Sequence, residues 1–398
     1  MNREDFSMIK NDLIYFDNGA TTFKPKRVVN KIVDYYSEFT ANAHRGDYDI
    51  SHKVDTEYES TREVVRKFIN AESKDEIVFT SGTTESLNMI VFKFMTNYLS
   101  KGDEVLITKT EHASNVLPWF ELEKKMGIVV KFIPLNKDKK VEIEAIKSMV
   151  NKKTKVVSLA YVTNVIGDIR PIPLISKYLH DNNILLVVDG AQSVPHMKTD
   201  VIRDNIDFLA FSAHKMLGPT GVGVLYGKKK YLDLMEPFKY GGGMNSTFES
   251  NKEVEYKDVP LRLEAGTQNI AGVLGLKEAI LYLEDIGMDN IMMHEQNLRK
   301  YFLEKAKDIS NITIYNENSE AGIITFNINK IFSEDASKYL NHYHICIRAG
   351  NHCSKMVKEE IEVKNTCRIS FYLYNTKEEI DKLIEVLKNS KNIYDIIL

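Results

Sequence analysis

Short apolar runs alternate with amphipathic segments along most of this chain, and that alternation predicts the order of its elements. The runs are bounded by polar or glycine-containing turns, as strands buried on both faces of a parallel sheet usually are. Strands are predicted at 13–16, 76–80, 103–108, 128–133, 155–160, 184–188, 207–211 and 223–226. Helices are predicted after Pro25 and Ser81, and from His112, Glu142 and Pro171. This order predicts an α/β fold with a mainly parallel sheet between two helical layers.

Two predicted helices have a pattern clear enough to name their buried residues. In the helix after Ser81, the apolar residues follow the i, i+3, i+4, i+7 spacing of one helix face: Leu87, Ile90, Val91 and Phe94. The last helix begins with Thr376 and Glu379, which fit a capping box. Its apolar stripe consists of Ile380, Leu383, Ile384 and Leu387. We predict that both sets lie in the core.

The pattern changes after about Asp285, where a long helix, two short strands and a further helix are predicted. The segment up to Val259 has no clear period and is predicted to be a loop or a hairpin, and 264–269 introduces a helix. We therefore predict an N-terminal segment at 1–20 that packs on a small domain, a large domain at 21–285 and the small domain at 286–398.

Composition and charge exclude several classes of protein. The 398 residues carry a formal net charge of -3 with 43% hydrophobic content, so no basic surface for nucleic acid is expected. No apolar run approaches membrane-spanning length, and the first residues lack the apolar core of a signal peptide. Three cysteines are too few for a disulfide framework. We predict a cytoplasmic enzyme with reduced thiols.

Polar residues follow two neighbouring predicted strands at the point where each strand ends. Asp189 closes the run 184–188, and Ser212, His214 and Lys215 follow the next run. Asp189 could simply cap a helix, and Lys215 could be a solvated surface residue. The carboxyl ends of parallel strands are, however, where open α/β sheets bind ligands. A lysine and a carboxylate at one rim are what pyridoxal 5'-phosphate (PLP) requires for its covalent bond and its ring nitrogen.

A third strand end supplies hydroxyl groups. Thr83 and Thr84 open the helix that follows the strand 76–80, and the free N–H groups of a helix N-terminus suit a phosphate. Ordinary helix capping would explain the same residues. His112 and Asn164 follow two further strands, and both would lie on the same rim as Asp189.

The three cysteines lie in different sequence environments. Cys346 and Cys367 stand within apolar or strand-like runs and are predicted to be buried structural thiols. Cys353 lies in the polar loop 348–355, where His352 or Lys355 could favour the reactive thiolate. The alternating His342, His344 and Cys346, with His352 nearby, could suggest zinc. The spacing matches no zinc motif, so no metal is predicted.

These segments together resemble a group II (SufS-type) cysteine desulfurase, in the class V branch of fold-type I PLP enzymes. The resemblance covers nearly the whole chain. It rests on E-H-A-S-N-V-L-P-W, N-V-I-G, D-G-A-Q, F-S-A-H-K-M-L-G-P-T-G-V-G, E-A-G-T-Q-N, R-A-G-N-H-C and C-R-I-S-F-Y-L-Y-N. It implies a fold-type I PLP-dependent transferase with a seven-stranded-type sheet in the large domain and a smaller α+β C-terminal domain.

The resemblance also implies a role for each matching residue. Lys215 would bond to PLP and move protons, Asp189 would keep the ring nitrogen protonated, and His112 would stack on the ring and help transfer the thiol proton. Cys353 would attack the sulfur of L-cysteine, leaving a persulfide and releasing alanine. Asn164 and Gln192 would contact a cofactor oxygen. The phosphate would be held by Thr83, Thr84, Ser212 and His214, together with Thr267 of a second subunit. The substrate would be bound by Arg368, Asn164 and Arg45. Arg45 could equally lie in an ordinary loop.

Partners and alternatives follow from the same resemblance. It implies a homodimer that passes sulfur to a SufU- or SufE-like acceptor for iron–sulfur cluster assembly. The usual loop H-H-C-A is replaced by Asn351, His352, Cys353 and Ser354, followed by Lys355 and Met356. Met244 stands after three glycines where an acidic residue is common. Selenocysteine lyase and a sulfur-relay scaffold with little turnover are the alternative functions.

Overall fold

A computed structural model describes residues 2–10, 12–43, 46–390 and 393–397. Arg45 lies outside the described residues. In chain order the strands are β1 Ile14–Tyr15, β2 Ile77–Thr80, β3 Glu104–Ile107, β4 Val129–Phe132, β5 Thr154–Ala160, β6 Leu185–Asp189, β7 Phe208–Ser212, β8 Gly223–Gly227, β9 Asn245–Phe248, β10 Val254–Tyr256, β11 Ile312–Ile314, β12 Ile323–Ile328, β13 Ile345–Cys346, β14 Arg348–Gly350 and β15 Thr366–Ser370.

The helices alternate with these strands. In chain order they are α1 Lys26–Glu38, α2 Asp49–Phe68, α3 Thr83–Met89, α4 Thr96–Tyr98, α5 Leu117–Met126, α6 Ile143–Met149, α7 Ile172–Asp181, α8 Lys229–Leu232, α9 Ile270–Ile286, α10 Met288–Ala306, α11 Ser333–His342, α12 Lys358–Ile361, α13 Lys377–Lys388 and α14 Tyr394–Ile397. A π-helical segment, Ile90–Met95, joins α3 to α4.

The central sheet has seven strands in the order β2-β8-β7-β6-β5-β3-β4. The strands β7, β6, β5, β3 and β4 pair in parallel, whereas β8 is antiparallel to both β2 and β7. The predicted α/β fold with a mainly parallel sheet is confirmed.

Alternate residues of the central strands contribute to two separate hydrophobic cores. Leu186 and Val188 pack in one core with α1, α7 and α9, whereas Leu185 and Val187 pack in the other with α5 and the π-helical segment. Successive side chains of a strand point to opposite faces, so both faces of the sheet are covered. This explains why the strand sequences are continuously apolar instead of alternating.

The C-terminal part of the chain has its own sheet and core. The strands β11-β12-β15-β14 form an antiparallel sheet, and β1 near the N-terminus pairs in parallel with β13. The prediction of two strands in this region was wrong, because five are formed there. The strands β13 and β14 are two and three residues long, too short for a period-2 pattern to be visible. The domain boundaries near 20 and 285 stay predictions.

Several local predictions can be compared directly with the structure. Leu87, Ile90, Val91 and Phe94 are all buried, and so is the stripe of α13. The capping box is present, since the Glu379 N–H donates to Thr376 Oγ1 at 3.3 Å and the Thr376 N–H donates to Glu379 Oε2 at 3.1 Å. The helix predicted from His112 is formed later: Ala113–Asn115 is a single 3₁₀ turn, and α5 begins at Leu117. Pro118 suits that first helical turn because it lacks an N–H.

Candidate active site

The carboxyl ends of β5, β6 and β7 meet at one edge of the central sheet and form the floor of a cavity. In the register of the sheet Ala160 pairs with Asp189, and Asp189 pairs with Ala210. The cavity has a volume of about 210 Å³. Most residues predicted for the site line it: Thr83, Thr84, His112, Asn164, Asp189, Gln192, Ser212, His214, Lys215, Cys353 and Arg368.

Lys215 and Asp189 lie on the floor of this cavity, and burial shifts both of their pKa values toward neutrality. Lys215 ends the 3₁₀ turn that follows β7. Burial lowers the pKa of Lys215 to about 8, against the charge of Asp189, which raises it. Burial raises the pKa of Asp189 to about 6, against the N–H of Ala191, which donates to Asp189 Oδ1 at 2.9 Å. The site therefore provides a lysine that gives up its proton readily beside a carboxylate.

We expect Lys215 to react as a free amine well below the usual lysine pH range. A lowered pKa means that the neutral, nucleophilic form accumulates as pH rises through about 8, roughly two pH units below an ordinary lysine at ~10.4. Competitive acetylation of the cofactor-free protein with acetic anhydride, read by peptide mass spectrometry from pH 6.5 to 10, measures this midpoint. Asp189→Asn should move it lower still, because the carboxylate raises the lysine pKa. A midpoint near that of exposed lysines would contradict the assignment.

One end of the cavity is rich in hydroxyl and N–H donors. Thr83 begins α3, and its N–H donates to Ser212 Oγ at 2.8 Å, while the two hydroxyls lie 2.7 Å apart. The Thr84 hydroxyl is 2.7 Å from that of Ser114. Glycine is required behind these residues, because a Cβ on Gly223 would stand 2.4 Å from the Gly82 Cα. This end of the cavity suits a phosphate group.

His112 lies on the wall of the cavity in its neutral form. Burial, together with the charges of Lys215, Arg348 and Arg368, lowers its pKa to about 4. The Ser114 N–H donates to His112 Nδ1 at 3.2 Å, which assigns the proton of the neutral ring to Nε2. In this tautomer the lone pair of Nδ1 is taken by the Ser114 N–H, so the ring offers a bound molecule the N–H of Nε2 as a hydrogen-bond donor.

Two guanidinium groups line the side of the cavity that faces the C-terminal sheet. Arg368 is buried; its Nη2 donates to Asp17 Oδ1 and its Nη1 to the Asn164 carbonyl, both at 3.0 Å. Arg348 also lines the cavity, and its Nη2 lies 3.9 Å from Cys353 Sγ. Arg348 was not predicted as a site residue. Its position five residues before Cys353, in the same motif, could have indicated it. Two cations face one carboxylate here, so an anionic substrate group is favoured.

Cys353 is the exposed cysteine of the chain and lies at the mouth of this cavity. Cys367 is buried, and burial raises its pKa to about 12. The prediction of a buried Cys346 was wrong, since this residue is half-buried in the edge strand β13; burial raises its pKa as well. Only Cys353 thus combines exposure with a position on the cavity.

The zinc alternative depended on a strand that is not formed. His342 ends α11, and His344 has a left-handed backbone, so His342, His344 and Cys346 do not share one strand face. Among the described residues, no group of three or more histidine, cysteine or acidic residues is arranged to hold a metal ion.

One predicted residue, Thr267, does not line this cavity. Thr267 lines a separate cavity with Thr80, Glu85 and Gln268, and its hydroxyl accepts from Asn42 Nδ2 at 3.3 Å. The prediction placed Thr267 at the phosphate of a second subunit, so its distance from Lys215 in one chain does not contradict it. Arg45 cannot be placed, because it lies outside the described residues.

Comparisons with known proteins agree with this architecture. The sequence model of the family described as Aminotransferase class-V matches residues 14–383. A probable cysteine desulfurase of Halalkalibacterium halodurans is 42% identical over 96% of this chain and 94% of the relative, and one of Staphylococcus aureus strain N315 is 42% identical over 96% and 93%.

Two solved structures have the same fold over at least 97% of the chain. The apo cysteine desulfurase of Thermococcus onnurineus NA1 superimposes with a TM-score of 0.93 at 35% identity, covering 97% of this chain and 96% of that one. The cysteine desulfurase CsdA of Escherichia coli superimposes with a TM-score of 0.92 at 30% identity, covering 100% and 98%. Because the family model matches residues 14–383 and relatives at 42% identity cover 96% of the chain, the chain belongs to the class V aminotransferase family of fold-type I PLP-dependent enzymes.

Proposed function

We propose that this protein is a PLP-dependent cysteine desulfurase that converts L-cysteine to L-alanine and leaves a persulfide on Cys353. One observation carries the proposal: a single cavity holds Lys215 and Asp189 on its floor and the exposed Cys353 at its mouth. Lysine and aspartate alone would suit many PLP enzymes. The cysteine adds a nucleophile that can take sulfur from the substrate.

The residues of the cavity fit PLP, the cofactor of this family. Gln192 Oε1 and Arg368 Nε are buried and have no hydrogen-bond partner among the described residues, so a polar molecule in the cavity would satisfy them. Lys215 would bond to the cofactor, Asp189 would hold its ring nitrogen protonated, and Gln192 and Asn164 would contact its ring oxygen. The phosphate would be held by Thr83, Thr84, Ser212 and His214. When bound, PLP supplies an electron sink for the α-carbon of the substrate.

The other cavity residues bind the substrate and move its protons. Arg368, supported by Arg348, would bind the substrate carboxylate, which a guanidinium fork recognises well. We also propose Asn164 and Arg45 at the substrate, the latter on the sequence resemblance alone. His112, neutral because of burial, would stack on the cofactor ring and help to transfer the thiol proton. Lys215 would transfer a proton at the α-carbon of the substrate.

The sulfur transfer itself takes place at Cys353. The Cys353 thiolate attacks the substrate sulfur, the substrate's carbon–sulfur bond breaks, and a sulfur–sulfur bond forms on the protein. The electron pair of the broken bond remains with the substrate carbon, which takes up a proton and leaves as alanine. L-cysteine and one protein thiol thus give L-alanine and one protein persulfide, with no external oxidant or reductant.

We further propose a homodimer in which Thr267 completes the phosphate site of the partner subunit. Thr267 lies outside the Lys215 cavity of its own chain and lines a second cavity beside the start of α3. Exposed apolar residues of the neighbouring hairpin, including Phe248, Val254 and Tyr256, support contact with another subunit.

The group II subtype and the path of the sulfur are also proposals. Only residues 351–354 separate β14 from the next 3₁₀ turn, so Cys353 is carried on a short segment. Such a segment favours transfer to a docked SufU- or SufE-like acceptor for iron–sulfur cluster assembly. Three free cysteines suit the reducing cytoplasm. Within the described residues, no helix has the length and apolar character needed to cross a membrane.

Incubation of the PLP-loaded protein with L-cysteine tests the proposed function. Alanine and, with a reductant present, sulfide should form in equal amounts, and the visible absorption of the cofactor should change on addition of substrate. Omission of PLP from the cofactor-free protein is the control. If alanine formed no faster than without protein, the proposed function would be wrong.

A further inference from the structure

The turn that follows β5 is held by the C-terminal region at every one of its carbonyl oxygens. This turn, residues 164–167, contributes Asn164 to the cavity. Its four successive carbonyls accept hydrogen bonds from Arg368 Nη1, Thr325 Oγ1, Asn316 Nδ2 and Ser319 Oγ, in that order. These four bonds tie the backbone of the turn to residues of the C-terminal region.

The side chain of Asn164 is in turn bound to both neighbours of Cys353. Its Nδ2 donates to the His352 carbonyl at 2.8 Å, and its Oδ1 accepts from Ser354 Oγ at 2.8 Å. All three residues are buried, and Ser354 is only 1% exposed. In a buried position each of these bonds protects a polar group that would otherwise lose its partner. One amide thereby spans the segment that carries the cysteine.

That segment has a strained backbone. His352 and Cys353 have φ angles of 52° and 59°, in the left-handed region that costs non-glycine residues about 1–2 kcal/mol each. Strain of this kind persists only where the surroundings hold it. The Ala113 N–H donates to the Cys353 carbonyl at 2.8 Å, and His352 Nε2 lies 2.9 Å from Thr366 Oγ1. Together with Asn164, these contacts keep the cysteine at the mouth of the cavity.

Ser354 is the member of this set that departs from the family pattern. The resembling loop has alanine after its cysteine, whereas this chain has a serine whose buried hydroxyl has Asn164 Oδ1 as its partner. The His352 carbonyl requires the Nδ2 side of the amide, which leaves Oδ1 to face Ser354. The serine hydroxyl therefore satisfies the only end of the amide that His352 cannot bind.

We propose that Ser354 is a positioning residue for sulfur transfer, which acts through Asn164 to hold Cys353 in its strained position at the cavity. This proposal rests on the proposed function, because it concerns the step in which Cys353 takes sulfur from L-cysteine. Ser354 is not among the described residues that line the cavity. Its effect should therefore appear in the stability of the loop and in the rate of sulfur transfer, not in cofactor binding.

A double-mutant cycle on the cofactor-free protein tests the positioning role without using activity. We expect Ser354→Ala to accelerate amide hydrogen exchange at 352–357 and at Ala113 about fivefold, the loss of roughly one neutral hydrogen bond. The same substitution made in an Asn164→Ala background should add almost nothing, because its partner is already gone. Ser176→Ala is the matched control, since the buried Ser176 hydroxyl donates to the Asn205 carbonyl at 3.0 Å, away from the cavity.

Steady-state kinetics of the PLP-loaded protein supply the second measurement. Ser354→Ala should lower kcat for alanine release about fivefold while KM for L-cysteine and the cofactor spectrum stay within about twofold of the unmodified protein. Exchange in Ser354→Ala equal to that in the Ser176→Ala control would overturn the proposal. So would an equal acceleration in the Asn164→Ala background. If the unmodified protein released no alanine, the proposed function would fail, and the exchange cycle would still decide whether Ser354 holds the loop.

Discussion

Replacement of Lys215 by alanine is expected to lower the rate of alanine release about a thousandfold or more. Lys215 would supply both the covalent bond to PLP and the proton transfer at the α-carbon, and proton transfer alone contributes about 10²–10⁴-fold. No other lysine lines the cavity among the described residues. The variant should lack the visible band of lysine-bound cofactor, and borohydride should leave no pyridoxyl group on the protein, as read by mass spectrometry.

The matched control is Lys228→Ala. Lys228 also follows a strand of the central sheet and pairs with a carboxylate, since its Nζ lies 2.7 Å from Asp207 Oδ1, but it does not line the cavity. This variant should keep the cofactor band. If Lys215→Ala retained the band and gave a reduced adduct on another lysine, Lys215 would not be the cofactor lysine.

The Lys215→Ala variant also tests the proposed dimer. Lys215→Ala has an intact Thr267, and Thr267→Ala has an intact Lys215, so a mixed dimer contains one site with both residues. Each mixed dimer should therefore have half the activity of an unmodified dimer. Because about half of the dimers formed on co-refolding equal amounts of the two variants are mixed, activity should rise toward about a quarter of the unmodified value. Activity that stays at the sum of the separate variants would contradict a site shared between subunits.

That Asp189 and Lys215 line one cavity could be predicted from sequence, because it depends on strand order alone. Each βα unit of a parallel sheet brings the residue after its strand to the same edge. Asp189 and Lys215 follow neighbouring strands, so their meeting needed no knowledge of side-chain packing. The buried strands could also be predicted, because strands covered on both faces are apolar at nearly every position.

The support of the cysteine loop could not be predicted in the same way. The hydrogen bonds of Asn164 join it to Ser354 and His352, which lie 190 and 188 positions further along the chain. No local sequence pattern predicts such contacts, and the sequence does not distinguish a buried serine from a surface serine. The left-handed backbone at His352 and Cys353 could not be predicted either, because neither residue type by itself predicts that conformation. Arg348 was missed because its guanidinium turns toward the cavity only through the pairing of β14 with β15.

Replacement of Cys353 by serine is expected to separate substrate binding from sulfur transfer. The Lys215 end of the cavity is unchanged in this variant, so PLP should bind and L-cysteine should still alter the cofactor absorption. Alanine release should fall about a hundredfold or more, because a serine hydroxyl is a far weaker nucleophile toward sulfur than a thiolate. Single-turnover alanine measurement, with Cys346→Ser as the matched control, gives the size of the effect.

In the unmodified enzyme the transferred sulfur should remain on Cys353 until an acceptor or a reductant removes it. The hydrogen bonds of Ala113 and Asn164 to the loop backbone keep Cys353 from moving far, so steady turnover should depend on that second molecule. Alkylation and mass spectrometry after one turnover without reductant should find the persulfide on Cys353 and not on Cys346 or Cys367. A persulfide on either of those residues, or alanine release from Cys353→Ser at the unmodified rate, would sink the mechanism. If Cys353→Ser instead released alanine rapidly from L-selenocysteine, the enzyme would act as a selenocysteine lyase, because selenium can leave without a protein thiol.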